Sequence, residues 1–158
     1  MKIFKTIINI ILTLFIIVGI SVLIAYIIGI KPYVVMSGSM EPNIKVGSVS
    51  FVNTRYPYEK IQVGDVIAFK RESIFATHRV VEITEEGFKT KGDANNVADG
   101  KIVPEEEYVG KNILSIPKIG YIIQATQTKA GKVILITTIV FILACAFFVI
   151  KPEEKIQK

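Results

Sequence analysis

Polar and apolar positions divide the chain into three parts. Residues 6–30 carry no charge, and residues 133–150 carry none either. At about 1.5 Å rise per residue, each run is long enough as a helix to cross roughly 30 Å of hydrocarbon. Two transmembrane helices are therefore predicted, over 6–30 and 133–150. Lys31-Pro32 forms the exit of the first, because a proline disfavours the helical conformation of the residue before it. Residues 31–132 form the domain between the spans, and residues 151–158 a solvated tail.

Within that domain the pattern changes from continuous to alternating. Residues 47–52 alternate polar and apolar, as a half-buried strand does. Further strands are predicted over 64–69, 76–83, 88–91 and 108–116, separated by Gly, Pro, Asn and Asp. The run Gly92-Asp93-Ala94-Asn95-Asn96 is a turn signal. No sustained 3.6-residue period occurs between the two spans. The expected fold is thus mainly β, a small antiparallel domain flanked by an N-terminal and a C-terminal transmembrane helix. The stretch from Ile116 to Thr128, apolar and then polar, is expected at the membrane interface, with Tyr33, Ile119 and Tyr121 as residues that either dip into headgroups or pack in the core.

Composition and charge narrow the functional classes. Of 158 residues 51% are hydrophobic, and the excess lies in the two end runs. The formal net charge of +5 divides as +2 in the central domain, where 14 Lys and Arg face 12 Asp and Glu, and +3 in the tails. A basic nucleic-acid surface is therefore not supported. Lys2 and Lys5 flank the first span, and Lys151, Lys155 and Lys158 follow the second. By the positive-inside rule both termini are expected in the cytoplasm and the central domain on the extracytoplasmic face. The first span is read as a permanent anchor, because no small-residue cleavage site precedes its charged boundary. Cys145, the one cysteine, falls in the second apolar run and reads as a small hydrophobe. With one cysteine and one histidine there is no metal-ligand pattern, and no metal or cofactor is expected.

The candidate chemistry follows directly on the first anchor, in Val35-Met36-Ser37-Gly38-Ser39-Met40-Glu41-Pro42. Gly38 permits a tight irregular turn and Pro42 ends any helix, so a hydroxyl can be exposed there. Serine and glycine also fill ordinary turns for conformational reasons alone. A nucleophilic serine needs a base within hydrogen-bond reach and a group to orient that base. The only histidine, His78, lies on the strand predicted over 76–83, and a lysine (Lys70, Lys89 or Lys91) is the other available base. Asp93 and Asp99 are the candidate orienters, and periodicity does not choose between them. Nine residues separate Ser39 from Ile30, at most about 30 Å of extended chain. The hydroxyl therefore stays near the membrane surface, and its substrate shares the bilayer.

The extended serine string resembles the serine box of type I signal peptidases. That resemblance implies Ser39, directly before Met40, as nucleophile, and Ser37 with the Ser39 N–H as the oxyanion hole. Thr77-His78-Arg79-Val80-Val81 resembles the histidine box of the archaeal and endoplasmic-reticulum members, implying His78 as base where the usual bacterial type has lysine. Residues 91–100 resemble the family's Gly-Asp-x-Asn box, in which the second aspartate is the usual third triad member. Asp99 is then implied as the triad acid and Asp93 as a supporting residue. Residues 63–69 agree with a further, structural box. The resemblance covers nearly the whole central domain in the right order. It implies a membrane serine endopeptidase of signal-peptidase fold, cutting signal-peptide-bearing preproteins after small residues, with Met40 expected at a substrate pocket and membrane partner subunits a possibility. A non-catalytic membrane subunit and a self-processing regulatory protease of similar fold are the competing readings.

Overall fold

The computed structural model of the chain describes residues 2–72 and 74–150. The tail expected over 151–158 and the side chain of Cys145 lie outside the described residues. The chain separates into two compact units. One holds the helical residues before Ile24 and after Ile123, and the other is Ile24–Ile123.

Helix α1 runs over Lys2–Ile27. Its apolar stretch Lys5–Ile27 is long and apolar enough to cross a membrane, and its window contains no buried residue. The helix ends three residues before the uncharged run does. Gly29 takes a φ of +94°, which glycine alone adopts without cost, and Ile30 already belongs to a strand. Thr54 then ties this corner down, its N–H and hydroxyl both donating to the Gly29 carbonyl at 2.8 and 2.9 Å. Charge alone marks no boundary here, because an apolar strand and an apolar helix look alike over so few residues.

The second unit is built on one six-stranded antiparallel sheet. Its strands are β1 (Ile30–Val34), β2 (Val49–Asn53), β3 (Val66–Arg71), β4 (Ile74–Thr84), β5 (Gly87–Lys91) and β6 (Tyr108–Ile116). Their order across the sheet is β1-β2-β6-β3-β4-β5. Strands β2 to β6 fall where alternation predicts them. Pro32 is accommodated because β1 is an edge strand and needs no second partner for that position. The aspartate of Val63-Gly64-Asp65 fixes a turn: its carboxylate accepts from the Gln62 N–H at 3.1 Å and pairs with Lys111 at 2.7 Å.

One face of β3, β4 and β5 carries the core: Ile61, Ile67, Phe69, Val80, Phe88 and Val103, flanked by Tyr56, Tyr58, Ala76 and Tyr108. Each such side chain contributes about 1.5–3 kcal/mol by leaving water. Burial also raises the Tyr108 phenol far above its ordinary pKa.

Between the end runs the structure adds a helix that no sustained period announces, α2, Ile119–Gln127. At nine residues it is too short to show a sustained period, and packing defines it instead. The Gly120 N–H donates to the Gly47 carbonyl at 2.9 Å, and the Tyr121 hydroxyl donates to the Val46 carbonyl at 3.3 Å. A Cβ on Gly120 would lie 2.7 Å from that Gly47 oxygen, so only glycine allows the approach. Helix α3, Lys129–Ile150, begins earlier than residue 133 because the Thr128 hydroxyl caps it, accepting from the Gly131 N–H at 3.0 Å. Its described part meets the length and apolarity needed to cross a membrane only when joined to α2 across the break between them.

Candidate active site

Ser39 lies in the irregular turn that the glycine and proline predict. The Glu41 N–H donates to the Gly38 carbonyl at 3.0 Å, the Ile44 N–H to the Met40 carbonyl at 2.8 Å, and the Glu41–Pro42 peptide is cis. Ser39 as a residue is half-buried. Met40, expected at a substrate pocket, is 2% exposed. Its side chain is part of the packed interior and offers a substrate almost no surface.

Strand β4 delivers the histidine. His78 is paired with Ile67 across β3 and so points to the core face, where its ring stands edge-on to Phe69 at 5.9 Å between centroids. His78 Nε2 lies 3.1 Å from Ser39 Oγ, and His78 Nδ1 lies 2.6 Å from Asp99 Oδ2. An ionised carboxylate only accepts, so Nδ1 carries the proton and donates to Asp99, leaving Nε2 to accept from the Ser39 hydroxyl. Histidine and carboxylate are both largely shielded, with side-chain exposures of 14% for His78 and 13% for Asp99. The three side chains form a continuous relay from carboxylate to hydroxyl. Such a relay can move a proton off the serine as its oxygen attacks a carbonyl.

Ser37 Oγ lies 3.4 Å from Ser39 Oγ on the exposed side of the turn. Among the described residues it is the one side-chain hydroxyl in hydrogen-bond range of the Ser39 oxygen. None of the alternative lysines has a hydrogen bond to Ser39; Lys89 pairs with Glu82 at 3.2 Å on the exposed surface.

Asp93 has other hydrogen-bond partners. Its carboxylate accepts from Arg79 Nε at 2.8 Å and from a second Arg79 nitrogen at 2.7 Å, a bidentate pair, and from Asn43 Nδ2 at 2.7 Å. The Arg79 hydrogen bonds hold the Asp93 carboxyl below the usual carboxylate range against the opposing effect of burial, and Asn43 adds to the lowering. The same contacts raise Arg79. Arg79 also donates to the Gly64 carbonyl at 2.7 Å. Asn43 sits four residues after Ser39 and Arg79 directly follows His78, so Asp93 ties the serine turn to the histidine strand.

Two backbone bonds complete the junction. The Ala94 N–H donates to the Ser39 carbonyl at 2.9 Å, and the Asp99 N–H donates to the Thr90 carbonyl at 2.8 Å. Sequence reasoning did not reach Asn43 or Thr90. Their roles depend on which strands are neighbours, and no local pattern encodes that.

The family described as "Signal peptidase, peptidase S26" matches residues 7–109. "Signal peptidase I W" of Bacillus subtilis is 46% identical over 77 residues, covering 46% of this chain and 40% of that protein. "Signal peptidase complex catalytic subunit sec11" of Sclerotinia sclerotiorum is 35% identical over 103 residues, covering 56% of this chain and 59% of its own length. The human "Signal peptidase complex catalytic subunit SEC11C" is 33% identical over 103 residues, with coverage of 56% and 53%. The chain thus spans about half the length of the curated relatives it matches. The matched family region contains the serine turn, the histidine strand and both aspartates, and the chain belongs to the signal peptidase family, peptidase S26.

Proposed function

We propose that this chain is a membrane-bound serine endopeptidase that removes N-terminal signal peptides from exported preproteins, cutting after small residues. The observation that carries the reading is the relay from Asp99 through His78 to Ser39, with contacts of 2.6 and 3.1 Å. In this mechanism His78 Nε2 takes the Ser39 proton as Oγ bonds to the scissile carbonyl carbon. Asp99 holds the imidazole and stabilises the imidazolium that forms. The carbonyl oxygen becomes an oxyanion received by the Ser39 N–H and the Ser37 hydroxyl. The imidazolium returns its proton to the departing amine as the C–N bond breaks. Water, deprotonated by the same imidazole, then hydrolyses the ester and frees Ser39. The protein ends the cycle unchanged.

Substrate class follows from tethering. Ser39 lies nine residues beyond the uncharged run. A signal peptide places its apolar segment in the bilayer and its cleavage site just outside. A second span over residues 133–150, both termini in the cytoplasm and the catalytic unit outside complete the reading. The charge asymmetry of the tails supports it. Two of the relatives are named as catalytic subunits of a complex, which supports a place for partner subunits in the membrane.

The test is cleavage of a purified preprotein in liposomes by the intact chain and by Ser39→Ala, His78→Ala and Asp99→Asn, with the cut located by mass spectrometry. The expected result is a single cut after a small residue, abolished by the first two changes and strongly reduced by the third. Retention of cleavage in Ser39→Ala or His78→Ala would overturn the reading, and the absence of any cleavage by the intact chain would favour a non-catalytic subunit.

A further inference from the structure

The carboxylate of Asp99 has a second donor besides the histidine. Thr90 Oγ1 lies 2.6 Å from Asp99 Oδ2, the same oxygen that accepts from His78 Nδ1. Thr90 has no solvent exposure. Its only hydrogen-bond acceptor within reach among the described residues is that oxygen, so its hydroxyl proton is committed to Asp99.

Two features make Thr90 suited to hold the carboxylate. The first is its own rigidity: it sits inside β5, paired with Val80 of β4, and a β-branched side chain in a packed strand has little χ1 freedom. The second is the double link to Asp99, since the Thr90 carbonyl also accepts the Asp99 N–H at 2.8 Å. Backbone and side chain of Asp99 are therefore both referenced to one strand residue. A carboxylate plane is otherwise poorly fixed, because the terminal torsion joining an sp³ to an sp² carbon is broad. Among the described residues, both side-chain hydrogen bonds of Asp99 fall on Oδ2. Without Thr90 the histidine alone would set the plane that is meant to orient the histidine.

We propose that Thr90 is a positioning residue of the catalytic relay, fixing the Asp99 carboxylate so that Oδ2 holds His78 Nδ1–H and aims Nε2 at Ser39. The proposal rests on the Ser39–His78–Asp99 reading given above. It makes Thr90 a fourth member of the relay that touches neither substrate nor reacting atoms.

The test compares Thr90→Val, which keeps the shape and removes the hydroxyl, with Thr90→Ser, which keeps the hydroxyl, and Thr90→Ala. Preprotein cleavage by the full chain in liposomes is measured as kcat and KM, with His78→Ala run in parallel. A hydrogen bond to a charged group is worth about 1.5–3 kcal/mol, so kcat of the Val variant should fall about tenfold to a hundredfold. KM should stay within about twofold, since substrate contacts are untouched, and the Ser variant should recover most of kcat. A Val variant with wild-type kcat beside an inactive His78→Ala variant would overturn the positioning role and leave the relay standing. An active His78→Ala variant would instead remove the relay itself. If the Val variant does not fold, Ser and Ala decide: equal kcat in the two overturns the proposal, and loss in Ala alone supports it.

Discussion

Replacing Gly92 by alanine tests whether the serine turn and the aspartate loop are held in register by direct contact. A Cβ built on Gly92 would lie 2.5 Å from the Ser39 carbonyl oxygen, about 0.9 Å short of the 3.4 Å at which ordinary contact begins. The next neighbour, Asn95 Nδ2 at 2.8 Å, is a side-chain end and can swing away, but the Ser39 oxygen is backbone. Gly92 does not use a left-handed φ, so alanine meets no conformational penalty there and the contact is the whole perturbation. Relief requires either the Ser39 peptide or the Gly92 turn to move by much of that distance. Both routes stretch the Ala94 N–H bond to the Ser39 carbonyl and displace Ser39 Oγ from its 3.1 Å contact with His78. Misplacing a reacting group by about 1 Å costs on the order of a hundredfold. The expected result is a kcat/KM for preprotein cleavage lowered about a hundredfold. Overpacking should cost about 1–3 kcal/mol of stability, read as a lower Tm. Gly100→Ala is the control, since a Cβ there meets nothing within 4 Å and its φ is not left-handed. A Gly92→Ala variant within threefold of wild type would refute the reasoning.

Further outcomes follow from other contacts. Ser37→Ala should lower kcat by about 10²–10³, the usual loss for one oxyanion donor, with KM little changed; an unaltered kcat would remove Ser37 from the oxyanion site. Asp93, whose folded pKa is depressed chiefly by the Arg79 hydrogen bonds, stabilises the fold above the unfolded carboxylate's value of about 3.9 and loses that contribution as pH falls below it. The Tm gap between wild type and Asp93→Asn should therefore narrow on acidification through pH 4, and a gap constant from pH 7 to pH 3 contradicts the assignment. Tyr108 is raised by burial, so its contribution is complete below the unfolded phenol's value of about 10 and is lost as pH rises beyond it. Denaturant unfolding at pH 8 and pH 11 should show a smaller alkaline loss in Tyr108→Phe than in wild type.

The strands of the second unit were legible because their alternation reports directly which side chains face the core. In β3 the core side chains Ile67 and Phe69 stand two residues apart and are buried at 0% and 1%, and Lys70 after them is exposed. The elements that escaped are those defined by something other than their own pattern. Strand β1 continues an uncharged helix, and only the left-handed Gly29 and the pairing with β2 separate the two. Helix α2 owes its position to Gly47 and Gly120 meeting backbone to backbone, a contact between residues 73 positions apart. Ser39 and His78 were legible for a chemical reason, since one histidine in the chain leaves few bases to choose from.

The choice between Asp93 and Asp99 shows how the fold decides what spacing cannot. His78 and Arg79 are successive residues of β4 and point to opposite faces of the sheet. Each needs a carboxylate, and the loop after β5 provides one for each face. The register pairs Arg79 with Lys91 and Val80 with Thr90. Thr90 therefore shares the face of Val80 and His78, and the chain leaving Lys91 first passes Arg79, where Asp93 forms its bidentate pair. It then turns back under the Asp99 N–H to Thr90 carbonyl bond, and Asp99 arrives on the histidine's face with Thr90 waiting beside it. A slip of one residue between β4 and β5 would exchange these faces and give the histidine no oriented acid. The carboxylate that meets the histidine is thus selected by strand parity, and the Arg79–Asp93 pair, with Asn43 attached, is the feature that makes such a slip costly: it would bury a carboxylate without its guanidinium.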